Sequence, residues 1–149
     1  MIAKIKALWK KHREVLMYLI FGGLTTVVDW SVSYLLYFVW GSAIEETAGL
    51  IHVANTIAWA AAVTFAYVTN RIWVFESTRR GFLPILGEFF SFAGGRVLTL
   101  LLQEAMFVVF FHWLGISEFI VKAIAAVLVV IANYFISKLF VFKKKKEEK

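Results

Sequence analysis

The sequence predicts an all-α membrane protein, with four transmembrane helices built from two parallel-repeat helical hairpins and both termini in the cytoplasm. Three observations lead there. The 149 residues are 61% hydrophobic with a mean hydropathy of +0.77, whereas a soluble domain is about 45–50% apolar. Four stretches are each long enough to cross a bilayer core, which takes roughly 20 apolar residues of helix. Lysine and arginine collect on alternate segments between those stretches. Nine Gly, one Pro and no Cys exclude collagen-like and disordered chains, disulfide frameworks, cysteine-ligated metals and thiol catalysis.

The first span, 15–40, is longer than the core of a signal peptide and is followed by no small-residue cleavage site, so it is retained. The second runs over 50–70, the third over 89–113 and the fourth over 119–136. Together they leave no room for a soluble catalytic domain, and residues 1–149 are read as a single membrane domain. No stretch alternates polar and apolar residues as a barrel strand does.

The flank before the first span carries Lys4, Lys6, Lys10, Lys11 and Arg13, and the segment after it carries Glu45 and Glu46 but no Lys or Arg. Arg71, Arg79 and Arg80 follow the second span, none follows the third, and Lys138, Lys143–Lys146 and Lys149 follow the fourth. By the positive-inside rule, both termini and the middle segment are cytoplasmic. This placement also accounts for the net charge of +6 without nucleic acid, because basic flanks at membrane exits serve topology and anionic lipid. Trp9, Trp40, Trp73 and Trp113 fall near the interfaces, where an aromatic belt is expected.

The chain also repeats. NRIWVF at 70–75 aligns with SKLFVF at 137–142 at an offset of 67, which carries Tyr67 onto Tyr134 and Asn55 onto Lys122. A glycine pair, Gly22-Gly23, matches Gly94-Gly95 at an offset of 72. Each repeat, about 15–76 and about 88–143, is then an in–out–in hairpin. Two copies of like orientation imply a pseudo-twofold axis along the membrane normal. Recurrence of aromatic and basic residues at any cytoplasmic exit is the plainer alternative.

Ionisable residues inside spans are costly and mark bundle interiors or water-filled paths. Asp29 shares a helix face with Gly22, Thr25, Thr26 and Ser33; such a face suits close helix packing as well as a polar path. Arg96 lies about two turns into the third span, Gln103 faces the same way, and Glu104 is about 80° round. Lys122 enters the fourth span about one turn from its outer end, with Asn133 on nearly the same face. Lys122 either snorkels outward or reaches Glu104, and buried Glu104–Lys122 or Asp29–Arg96 pairs would be purely structural. His12, His52 and His112 have no ligand spacing, so no metal site is expected. No nucleophilic triad, Walker loop, dinucleotide fingerprint or kinase signature is present, and neither an enzyme nor a cofactor is expected.

The run FGGLTTVVD at 21–29, Asn55, and NRIWVF at 70–75, with Asn70 and Arg71, resemble the first half of the GtrA-like family of small four-span bacterial membrane proteins. Gly95-Arg96, Thr99, Glu104, Lys122, Asn133-Tyr134 and SKLFVF at 137–142 resemble its second half, so the likeness covers about 15–143. Thr25 departs from the Asn common there, and Tyr67 from a frequent Phe.

The resemblance implies a protein of the bacterial cytoplasmic membrane that serves cell-surface polysaccharide or teichoic-acid glycosylation. Its expected task is flipping a polyprenyl phosphate, or the sugar linked to it, beside a membrane glycosyltransferase. Arg suits such an anionic head because its fork bonds two phosphate oxygens. Under this reading Arg71 and Lys138 capture the head at the inner exits, where Asn70 belongs to the same motif. Arg96 holds the head deeper and Lys122 receives it near the outer leaflet. Asp29, Glu104, Asn55 and Asn133 bind sugar hydroxyls or hold the cations. Four helices barely enclose such a path, so a homo-oligomer is expected. One alternative is a non-transporting accessory subunit that recruits or stabilises the glycosyltransferase. Another is a small multidrug-type exporter, a design that usually carries a first-span Glu and less basic content.

Overall fold

A computed structural model describes residues 2–41, 43 and 47–142, with side chains for 12–41, 43, 47, 49–117 and 120–142. The tail lysines 143–146 and 149, Glu45 and Glu46, and the side chains of Lys4, Lys6, Trp9, Lys10 and Lys11 lie outside the described residues. Helices joined by turns and short irregular segments make up what is described, with no strand among those residues. Four helices are long and apolar enough to cross a membrane: His12–Trp40, Gly49–Val74, Phe82–Trp113 and Ile120–Val141. The chain is a multi-pass membrane protein, and it divides into two compact units, Met1–Glu76 and Ser77–Lys149. Each unit is a helical hairpin.

In hairpin 1, helix α1 (Ile2–Trp40) breaks at His12, whose φ of −116° and ψ of 15° are not helical. It ends at Gly41, where φ is +48° and the amide donates to Tyr37 O at 3.0 Å; glycine takes this left-handed cap without a Cβ penalty. Helix α2 (Ala48–Thr69) runs on as a π-helical turn, Asn70–Val74, closed by Phe75 N–H donating to Asn70 O at 2.8 Å. Every fourth residue of this helix is buried: Ala54, Ala58, Ala62, Ala66, Asn70 and Val74. Lipid is as apolar as leucine, so helices in a membrane associate by close packing, and a line of alanines gives the backbones that approach.

Hairpin 2 repeats the plan. Helix α3 (Phe82–Phe107) continues as the π-helical segment Val108–Trp113. After a turn at Gly115, helix α4 (Glu118–Ile136) ends in the π-helical turn Ser137–Val141. Phe142 N–H donates to Ser137 O at 2.8 Å, the same closure as in hairpin 1. Here Val121, Ala125, Asn133, Ser137 and Val141 are buried and Val129 is half-buried, so an offset of 67 carries each member of the first line onto the second.

Three expected span bounds change. The second and fourth spans do not stop at 70 and 136, where polar residues interrupt the apolar run. Burial of Asn70 and Ser137 against the partner helix carries the helical backbone through them, to Val74 and Val141. Likewise α3 begins at Phe82, well before 89, because Gly81 with φ of +95° breaks the chain there and Pro84 is tolerated in a first turn.

The glycine pairing at offset 72 does not describe equivalent places. A Cβ on Gly95 would stand 2.8 Å from Ile136 Cγ2, whereas Gly22, Gly23 and Gly94 have open space. The equivalence instead runs at offset 74, from Glu14, Tyr18 and Thr25 to Glu88, Phe92 and Thr99. Tyr18 meets Phe75 at 6.2 Å and 55°, and Phe92 meets Phe142 at 5.8 Å and 55°. Thr25 and Thr99 each turn their hydroxyl back toward the carbonyl four residues earlier, at 2.7 and 3.2 Å.

Candidate functional site

The ends of the hairpins at Phe75 and Phe142 carry cations on their π turns. Arg71 is half-buried. Beside it Trp73 stacks on Phe21 at 5.5 Å, and Arg13 pairs with Glu76 at 2.6 Å while donating to Trp73 O at 3.4 Å. Asn70 is 1% exposed; its Nδ2 donates to Ala66 O at 2.6 Å, and its Oδ1 has no partner among the described residues. In hairpin 2, exposed Lys138 donates to the Tyr134 hydroxyl at 3.0 Å, with its Nζ 5.3 Å from that ring's centre. Glu88 is fully buried. It accepts from Ser77 Oγ at 2.8 Å and lies 3.6 Å from Arg79 Nε, which ties the segment entering α3 to the helix it starts.

Farther from that end, Arg96 is half-buried with its guanidinium 5.2 Å over the Phe92 ring, a cation–π arrangement that suits a desolvated charge. Next comes a polar lock. Thr99 Oγ1 donates to Asn133 Oδ1 at 3.0 Å with both residues buried, an interhelical bond of a kind worth about 0.6–1.7 kcal/mol in a membrane. Asn133 therefore joins α4 to α3. In hairpin 1, Asn55 accepts a hydrogen bond from the Tyr37 hydroxyl and so joins α2 to α1. Asp29 is half-buried, without a hydrogen bond or ion pair among the described residues.

At the opposite end of hairpin 2, toward the Gly115 turn, Gln103, Glu104, Phe107, Lys122 and Ala125 line a cavity of about 330 Å³. Residues 103, 104 and 107 fall on adjoining faces of α3, and 122 and 125 on one face of α4; the small Ala125 side chain leaves the gap open. Lys122 Nζ stands 5.8 Å from the centre of the Phe107 ring. The side chains of Gln103 and Glu104 make no hydrogen bond or ion pair among the described residues, so their polar atoms are available to whatever enters. A second cavity in the hairpin, about 190 Å³, is lined by Met106, Phe110, Ile116, Val121, Ile124 and Leu128, and offers a polar head nothing to bind.

The structure thus brings Glu104 and Lys122 to one cavity and spaces Lys138, Arg96 and Lys122 along a single hairpin. From Lys122 to Lys138 the helix rises about 24 Å. Three features escaped the sequence reading: the buried Glu88, the ring of Phe107 under Lys122, and the Tyr37–Asn55 bond. The signal for Glu88 was present as Glu14 and Glu88 followed four residues later by Tyr18 and Phe92, but a glycine match obscured it. Among the described residues no His, Asp or Glu group is arranged to hold a metal ion.

A family model described as the GtrA/DPMS transmembrane domain matches residues 17–142. The cell wall teichoic acid glycosylation protein GtcA of Listeria monocytogenes serovar 1/2a is 37% identical over 137 residues, covering 89% of this chain and 87% of that protein. The GtcA of Listeria innocua serovar 6a is 37% identical over 135 residues, with the same coverage. A Bacillus subtilis membrane protein, YwcD, is 33% identical over 133 residues, covering 89% of this chain and 98% of its own. No solved structure matches the chain.

Proposed function

Because the chain belongs to the GtrA/DPMS transmembrane family, we propose that it serves cell-wall teichoic-acid or related polysaccharide glycosylation by flipping a lipid across the bacterial cytoplasmic membrane. The lipid is a polyprenyl phosphate or its sugar conjugate. The observation that carries this reading is the cavity at Gln103, Glu104, Phe107 and Lys122: a lysine beside a glutamine and a glutamate whose side chains make no hydrogen bond or ion pair among the described residues, between two helices long and apolar enough to cross a membrane. Ionisable groups held there serve ligands or ions passing through.

The termini face the cytoplasm in this reading, since Lys and Arg crowd the ends of the hairpins at Phe75 and Phe142. A lipid phosphate meets Lys138 on hairpin 2, and Arg71 at the corresponding end of hairpin 1. It then passes Arg96, whose fork binds two oxygens, and is received at Lys122. The isoprenoid tail stays in lipid throughout, so only the head needs a polar route. A membrane glycosyltransferase supplies or consumes the lipid, and copies of the chain assemble to complete the route.

The test is leaflet exchange in proteoliposomes that hold the purified chain and a labelled polyprenyl-phosphate sugar. Exchange well above that of empty vesicles, and lost in Arg96→Gln, supports the reading. Exchange equal to that of empty vesicles, from folded protein, overturns it in favour of an accessory subunit of the glycosyltransferase.

A further inference from the structure

The polar cavity of hairpin 2 sets one aromatic ring among uncommitted hydrogen-bonding groups. Phe107 lines it together with Gln103, Glu104, Lys122 and Ala125. The ring is braced from its own helix: it stacks on Phe111 at 4.9 Å and 22° and meets His112 edge-on at 6.2 Å and 70°. Lys122 Nζ stands 5.8 Å from the ring centre and takes part in a further interaction, so its charge is not reserved for a ligand. The side chains of Gln103 and Glu104, by contrast, make no hydrogen bond or ion pair among the described residues. Gln103 offers an acceptor and two donors. A carboxyl group accepts from a hydroxyl with or without a proton of its own, so Glu104 serves hydroxyls whatever charge it carries.

Resting on the lipid-ligand reading above, we infer that this cavity is a monosaccharide site: Phe107 supports the apolar face of the sugar ring, and Gln103 and Glu104 bond its hydroxyls. The face of an aromatic ring is negative and its edge positive. Such a face attracts the slightly positive C–H groups on one side of a pyranose, a weak but directional contact, and repels a bare phosphate. Sugar hydroxyls both donate and accept, which matches a wall made of Gln103 and Glu104, whereas an ionised phosphate oxygen only accepts. The cavity holds about 330 Å³, against roughly 300–1,000 Å³ for small-ligand sites, a size for one sugar ring and not for a longer saccharide. The repeat supplies a contrast. At an offset of 74, the place of Phe107 is held in hairpin 1 by Ser33 and that of Gln103 by Asp29, so the pairing of ring with amide is particular to hairpin 2.

The experiment uses the purified full chain and two labelled lipids of equal charge: a hexosyl polyprenyl phosphodiester, and a methyl polyprenyl phosphodiester that lacks the sugar. Binding is read in nanodiscs and leaflet exchange in proteoliposomes. The wild-type chain is expected to bind the hexosyl lipid at least about tenfold more tightly, the worth of one or two hydrogen bonds. Phe107→Leu and Gln103→Leu, which keep side chains of similar bulk, should each bring the two affinities within about threefold. Phe107→Tyr, which keeps the ring, should retain the preference. Equal wild-type affinities, or a preference unchanged in either Phe107→Leu or Gln103→Leu, overturn the sugar site whether or not exchange occurs. A preference that depends on Phe107, with exchange of neither lipid above empty vesicles, sustains the sugar site and overturns the translocation reading. Exchange of both lipids with no preference in binding does the reverse.

Discussion

The two hairpins share a scaffold and differ in where they carry charge. Both pack a line of every fourth residue against the partner helix, close with an aromatic pair at 55°, and end in a π-helical turn bearing a cation. At the level where hairpin 1 has Asn55 bonded to Tyr37, hairpin 2 has Lys122 beside a cavity. Where hairpin 1 buries Ala66, hairpin 2 buries Asn133 and bonds it to Thr99. Hairpin 1 has its ion pair in the open, between Arg13 and Glu76; hairpin 2 buries the carboxylate of Glu88. A repeated backbone, then, does not mean a repeated task. Hairpin 1 packs along its alanine line; hairpin 2 differs on that line by Asn133, which bonds Thr99, and next to it by Lys122, which lines a cavity.

The largest expected contrast is functional. Lys122→Gln should lower leaflet exchange of a lipid-linked sugar about 10–100-fold, the worth of a charge-assisted hydrogen bond. Asn55→Ala, at the matching place, should leave exchange within about threefold. Equal losses would break the division of labour.

Glu88→Ala should destabilise the chain by about 1.5–3 kcal/mol, since it removes a buried, charge-assisted bond to Ser77. Thermal unfolding in detergent reads this, and no change would mean that the buried carboxylate does not hold the start of α3.

Gly95→Ala should cost about 1–3 kcal/mol by overpacking, because the β-branched Ile136 cannot swing its methyl away. The same change at Gly23 should be neutral or mildly stabilising, as open space surrounds it. Recovery of stability in Gly95→Ala/Ile136→Ala would identify the contact responsible.

Thr99→Val should cost about 1 kcal/mol, because Asn133 loses its partner on α3. Thr25→Val, which removes only a bond within its own helix, should change little. The smallest effect belongs to Glu76→Gln. Its exposed pair with Arg13 is worth at most about 1 kcal/mol, and whatever loss appears should fade in high salt.

The helical membrane class, four spans and the repeated exits at 70–75 and 137–142 were all legible in the sequence, because each rests on composition or on residues adjacent along the chain. Span ends were less so. An apolar window stops at Asn70 and Ser137, and only their burial against a partner helix explains why the backbone stays helical through them. The register of the first helix of each repeat was misread for a related reason. Glycine identity drew Gly22-Gly23 onto Gly94-Gly95, but equivalence depends on which residues meet the partner helix, and those are Tyr18 with Phe75 and Phe92 with Phe142.

The candidate site divides in the same way. Sequence named Asp29, Arg96, Glu104 and Lys122 as ionisable groups in costly positions, with Asn133 on the face of Lys122 and Asn55 through the repeat and the family resemblance, but it could not tell which of them a neighbouring helix would claim. Asn133 and Asn55 are claimed, by Thr99 and Tyr37; Glu104 keeps its acceptors for the cavity it shares with Lys122. The solvent this chain folds in, its span count and its cationic exits follow from side-chain chemistry read one residue at a time. Whether a buried polar group packs helices or meets a ligand is decided only by what faces it across the helix pair, because a hydrogen bond made inside the protein is one that no ligand receives.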